Sequence, residues 1–140
     1  MLILDTNILA EVIKPSPDPK IGTWLGAQPR DDLYTTSLAQ AEILYGVERL
    51  PPGKRRSDLL TAVVEIFAFF DKRILSFDSD AARAYPQIIL NRKMMGQEIR
   101  PADAMLAAIT RSRGAMLATR NTGEFSGCGI RVVNPWEGGR

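Results

Sequence analysis

The first seven residues, Met1-Leu2-Ile3-Leu4-Asp5-Thr6-Asn7, decide how the rest of the chain is read. Four apolar residues suit a fully buried strand, and the polar triplet behind them suits the entry to a helix. A strand that passes directly into a helix is the opening half of a parallel βαβ unit. It also delivers a carboxylate, Asp5, to the carboxyl end of a strand, where open parallel sheets form their ligand crevice. Leu33–Thr36, Arg73–Ser76, Ala115–Ala118 and Ile130–Val133 repeat the short apolar pattern, with helical periodicity between them. The expected fold is therefore α/β, a parallel sheet of five strands flanked by helices.

Helices are expected over Ile8–Ile13, from Asp18-Pro19 onward, and over Ser37–Leu50, Ser57–Phe70, Asp78–Met95 and Pro101–Arg113. Asp18-Pro19 combines an N-cap with proline at the first helical position. Pro51-Pro52-Gly53 and Gly114 supply stops, and Pro86 should bend or break its helix. Leu59, Leu60, Val63, Ile66, Phe67 and Phe70 make a broad apolar face. The 140 residues contain no internal repeat, low-complexity tract or linker, so residues 1–140 are expected to form a single domain.

The chain has no His and one Cys, Cys128. That excludes Ser-His-Asp and Cys-His nucleophilic sites, His- or Cys-rich zinc sites and an internal disulfide. What remains is oxygen chemistry, either a carboxylate site for a hard cation or a phospho-acceptor or carboxylate-dyad mechanism. No charged leader precedes an apolar core and no stretch nears the ~20 apolar residues that span a bilayer, so a cytoplasmic protein with no membrane partner is expected. The net charge of +2 is small, but the basic residues are mostly Arg, which suits phosphate recognition.

Three acids occupy apolar contexts. Asp5 ends the first strand, Glu42 shares a helix face with Leu38, Tyr45 and Gly46, and Asp103 follows Pro101 in the first turn of a helix. Each has a plainer role, Asp5 as a cap, Glu42 as the partner of an Arg, and Asp103 as a helix-start acid. The segment Leu117-Ala118-Thr119-Arg120-Asn121 ends another strand in polar residues, and carboxyl ends of neighbouring parallel strands meet at one edge of a sheet. Clustered carboxylates raise one another's pKa unless a cation neutralises them, and a divalent metal is the simplest resolution.

Asp5-Thr6-Asn7, Glu42 within Ser37-Leu38-Ala39-Gln40-Ala41-Glu42, Pro101-Ala102-Asp103 and Thr119-Arg120-Asn121 together resemble the four signature blocks of PIN-domain ribonucleases. More narrowly they resemble VapC-type toxins of bacterial toxin–antitoxin pairs, and Val133-Asn134-Pro135-Trp136 is similar to the end of the FitB-like branch. The resemblance implies a PIN-like domain holding Mg²⁺ or Mn²⁺ on Asp5, Glu42 and Asp103. Asn121 stands where many members carry a fourth acid, and Glu124 lies three residues beyond it. Thr6 and Thr119 match supporting positions, with Asn7 and Ser37 in similar roles. The implied reaction is metal-assisted hydrolysis of RNA phosphodiesters, a carboxylate taking the proton of the attacking water. The implied partners are RNA, a cognate antitoxin, a second copy of the chain in a homodimer and, only through the antitoxin, operator DNA.

Other features have plainer readings. Lys54-Arg55-Arg56 is expected as a solvated loop run, Asp78 and Asp80 as a cap and a first-turn acid, and Cys128 as an inert loop thiol. Trp24 and Leu25, with the Phe67 and Phe70 face, are read as core, any part left exposed suiting a partner helix, and the apolar faces around Trp24 and Phe67 are where dimer contact is expected. Two rival functions stay open. A phosphatase or phospho-transfer domain also begins with a strand-end Asp but wants a second acid where Asn7 stands, and a non-catalytic PIN-like module would bind an antitoxin or operator complex without chemistry.

Overall fold

The protein is described from a computed structural model covering residues 1–137; the last positions of the expected domain, 138–140, lie outside the described residues. Five short strands form one sheet: β1 (Leu2–Leu4), β2 (Leu33–Thr36), β3 (Ile74–Leu75), β4 (Met116–Ala118) and β5 (Arg131–Val133). Their order is β3-β2-β1-β4-β5, and every neighbouring pair is parallel. The helices are α1 (Thr6–Val12), α2 (Pro19–Gly26), α3 (Ser37–Glu48), α4 (Lys54–Phe69), α5 (Ser79–Met94) and α6 (Pro101–Ser112). The expected parallel five-stranded sheet flanked by helices is what the chain forms.

Strand alternation divides the core into two layers. Leu2 and Leu4 point to one side, with Ile8, Leu9, Ile21, Ile43, Val63 and Phe67 from α1 to α4. Ile3, between them, points to the other side, with Ala81, Ile88, Ala104 and Ala108 from α5 and α6. All three β1 residues are buried, which is why the opening run is uniformly apolar rather than alternating.

The strand order also locates the crevice. From β1 the chain steps outward through β2 to β3, then returns to the opposite side of β1 as β4 and continues to β5. The reversal lies between β1 and β4, and their carboxyl ends flank the switch point where such sheets bind ligands. Asp5 N–H donates to the Ala118 carbonyl at 3.0 Å, so the two strand ends are tied at that point.

Several boundaries differ from expectation for identifiable reasons. Helix α1 starts at Thr6 because Asp5 caps it, its carboxylate accepting from Thr6 N–H at 2.7 Å. Helix α4 starts at Lys54, so Lys54-Arg55-Arg56 is a first helical turn and not a loop. Cations are unfavourable at a helix N-terminus, but Lys54 pairs with Asp58 and Arg56 with Glu48, each at 2.7 Å. Helix α5 continues through Pro86, where packing of Ala81 and Ile88 with α6 residues in one core layer outweighs the lost hydrogen bond. Phe67 and Phe70 are buried, so they are core and not a face for a second copy. No helix among the described residues is long and apolar enough to cross a membrane.

Candidate active site

The site is organised by Thr119, the first residue beyond β4 and fully buried. Its hydroxyl donates to Asp5 Oδ2 at 2.8 Å and accepts from Asn121 N–H at 3.1 Å and Asn7 Nδ2 at 3.2 Å. Asn7 Nδ2 also lies 3.4 Å from Asp5 Oδ2, and its Oδ1 accepts from Arg120 N–H at 3.2 Å. The end of β1 and the end of β4 are thus held together by side chains that all converge on one carboxylate. Because Thr6 N–H occupies the other oxygen of Asp5, this carboxylate is oriented as firmly as a cap and faces the crevice as well.

Burial pushes the Asp5 carboxyl above its ordinary value, the hydrogen bonds from Thr119 and Thr6 oppose the rise, and the charges of Asp103 and Glu124 add to it. Glu42, exposed on α3, is raised by partial desolvation and then by the charges of Asp5 and Asp103; a hydrogen bond with the Thr6 side chain and the charge of Arg100 oppose this. Asp5 thus feels the charges of Asp103 and Glu124, and Glu42 those of Asp5 and Asp103. Asp103 is ion-paired, its Oδ2 lying 3.2 Å from Arg100 Nε, with the carboxylate mostly covered and the guanidinium exposed. Ser37 stands in the first turn of α3, but the cap of that helix is Thr36, whose hydroxyl accepts from Ala39 N–H. Asn121 takes part through its backbone: its N–H reaches Thr119, and its carbonyl accepts from Glu124 N–H at 3.1 Å.

A family model of the PIN domain matches residues 2–127. The chain belongs to the PIN-domain family. The VapC ribonuclease Y4jK of Sinorhizobium fredii is 36% identical over 138 residues, which cover 98% of this chain and 99% of that protein. The toxin FitB of Neisseria gonorrhoeae is 36% identical over 97% of this chain and 99% of its own length. Among solved structures, FitAB bound to an IR36 DNA fragment contains a chain that matches with a TM-score of 0.91 at 36% identity, covering 97% of this chain and 96% of the other.

In this PIN-domain protein the donor chemistry suits a hard divalent cation. The carboxylates of Asp5, Glu42, Asp103 and Glu124 and the hydroxyl of Thr119 supply hard oxygen donors around the crevice, with Arg100 and Arg92 as cations at its Asp103 side. The arrangement is nevertheless open: among the described residues no group of three Asp, Glu or Cys side chains is placed so that it could hold a metal ion. Asp103 is engaged with Arg100, and Asp5 is fixed by Thr6 and Thr119.

Arg100 carries weight in the site and escapes a reading of the sequence, whereas Asn134 enters that reading only as part of the terminal block and without a role. Arg100 precedes the helix-start proline, and only its spacing of three from Asp103 hints at the pairing. Asn134 supports the strand end, donating to the Arg120 carbonyl at 3.3 Å while its Oδ1 accepts from Trp136 N–H at 2.9 Å. Asp78 and Asp80 stay outside the crevice: Asp78 caps α5 through Ala81 N–H, and Asp80 pairs with Arg83.

Proposed function

We propose that residues 1–140 act as a single endoribonuclease domain, the toxin of a cytoplasmic type II toxin–antitoxin pair. The observation that carries this reading is the placement of Asp5 at the β1/β4 switch point, where it shares its electrostatic environment with Glu42, Asp103 and Glu124. Relatives named VapC ribonuclease and toxin FitB, each matching nearly the whole chain, support the same activity.

Asp5, Glu42 and Asp103 would hold Mg²⁺ or Mn²⁺, which supplies Lewis acidity and charge neutralisation for hydrolysis of a phosphodiester. The protein's part is to orient and to move protons. Thr119 and Thr6 fix the Asp5 oxygens so that no reorganisation is needed during reaction. A carboxylate of the crevice would take the proton of the attacking water, since the chain has no His. Asn7 braces Thr119 and the Arg120 backbone, and the exposed Asn121 side chain is free to face substrate.

The second partner is an antitoxin. A groove of about 490 Å³ lined by Leu9, Val12, Leu25, Ile66 and Phe69 fits the apolar side of a helix. A homodimer would use the apolar side chains left exposed, Leu44 and Tyr45 on α3 and Leu60 and Val64 on α4, in place of the expected Phe67. Operator DNA would be reached through the antitoxin.

Partner-free protein should cleave RNA with Mg²⁺ or Mn²⁺ and stop on chelation; full cleavage in excess chelator sinks the proposal. One rival is a binding module without chemistry. Calorimetric titration that detects no Mn²⁺ binding would select it. A phosphatase reading is weaker, because the Asn7 amide braces Asp5 and Thr119 where a second acid would be required.

A further inference from the structure

Arg100 is the cation that Glu42 and Asp103 both feel, and it is attached to the crevice by a single contact. Nε lies 3.2 Å from Asp103 Oδ2, the side chain is 78% exposed, and neither terminal nitrogen has a described partner. Exposed ion pairs of this kind contribute little to stability, because water screens them and the long side chain loses freedom. The Asp103 carboxylate, by contrast, is only 15% exposed and lies in a crevice with excess negative charge. A divalent cation drawn to that charge interacts with Asp103 about twice as strongly at equal distance as a monovalent guanidinium, and it repels the guanidinium. The contact is thus built to be exchanged.

What a released Arg100 would meet follows from its position. It borders a cavity of about 90 Å³ together with Asp103 and Glu124, so its free fork remains beside the reacting centre. The planar donors of a guanidinium match two oxygens of one phosphate. We infer that Arg100 is an exchangeable counter-ion: it neutralises Asp103 while the crevice lacks a metal and becomes an RNA-phosphate contact once a divalent cation has displaced it. The inference rests on the nuclease reading above, and it makes Arg100 a competitor of the metal and an ally of the substrate.

These opposite signs define the test. Mn²⁺ alone is titrated calorimetrically into the full chain as wild type, Arg100→Gln and Arg100→Lys. Arg100→Gln should bind Mn²⁺ about threefold to tenfold tighter, as expected for removing one nearby positive charge under partial screening, and Arg100→Lys should stay near wild type. At saturating Mn²⁺ the KM of Arg100→Gln for a short single-stranded RNA should rise, and its dependence on log salt should weaken by about 0.7, the contribution of one phosphate contact. Unchanged or weaker Mn²⁺ binding by Arg100→Gln overturns the counter-ion role. Tighter Mn²⁺ binding with an unaltered salt slope for RNA overturns the phosphate role. Wild-type protein that binds no Mn²⁺ removes the nuclease reading itself, a failure distinct from either.

Discussion

Leu4 and Asp5 are consecutive residues that serve two regions with opposite physics. Leu4 lines the apolar groove bordered by α1, α2 and α4, while Asp5 faces the acidic crevice between the ends of β1 and β4. The groove is defined by area. Its lining is aliphatic and aromatic with Glu65 as the acid among the lining residues, and any one side chain supplies a small share of the surface a partner would cover. The crevice is defined by a few oxygen atoms, each held by named donors and each sensitive to its neighbours' charge. The difference teaches that sensitivity to substitution should be concentrated in the crevice and spread out in the groove.

The sharpest separation comes from Asp5→Asn, which keeps the shape and the cap but neutralises a proposed ligand. RNA cleavage should fall roughly a hundredfold or more in single-turnover assays while affinity for an antitoxin is retained. Equal losses of both would erase the distinction between the regions. The converse is Leu25→Asp, which puts a charge against Ile66 and Phe69. Antitoxin binding should weaken roughly tenfold to a hundredfold by surface-based kinetics, with cleavage by the free protein unchanged. A third substitution grades the crevice internally. Glu124→Gln removes a charge that Asp5 feels without touching the Thr119 network, and cleavage should drop roughly tenfold. A loss as large as that of Asp5→Asn would make Glu124 a ligand in its own right.

The smallest expected effect concerns stability. Folding raises the Asp5 carboxyl above its ordinary value of 3.8, so the ionised form is less comfortable in the native protein than in the unfolded chain. That penalty is complete above the folded pKa and disappears below 3.8. Metal-free Asp5→Asn should therefore melt slightly above wild type at neutral pH, with the gap closing as pH falls through this window in calorimetric scans. A gap that widens on acidification would mean that hydrogen bonds to Asp5, and not its burial, dominate.

The same contrast explains what the sequence made legible. Parallel strands buried on both faces are short continuous apolar runs, and polar triplets after Leu4 and Ala118 mark their carboxyl ends, so sheet, edge and the Asp5–Thr119 pairing could be anticipated. Side-chain pairing across the crevice could not. Whether Asp103 faces Arg100 or the other acids depends on rotamers, which leave no periodic trace. The apolar face of α4 was visible, but periodicity cannot tell that Phe67 and Phe70 would be covered by the protein itself while Leu60 and Val64 stay exposed. Of the bend or break expected at Pro86, the break does not occur, because the α6 surface, absent from a local reading, helps hold α5 together.

Cys128 gives the molecule a reporter of its own motion. The thiol is fully buried between Gly127 and Gly129, both at positive φ, and burial raises its pKa. A modifying reagent can reach it only when the turn preceding β5 lifts away from the core layer that α6 helps to form. Under conditions where reclosing is faster than alkylation, the labelling rate measures the free energy of that single opening, much as amide exchange does, but at one atom and without isotopes. Comparing this rate with and without RNA or a divalent ion would show whether filling the crevice quiets the turn that Arg92 ties to it through the Ser126 carbonyl.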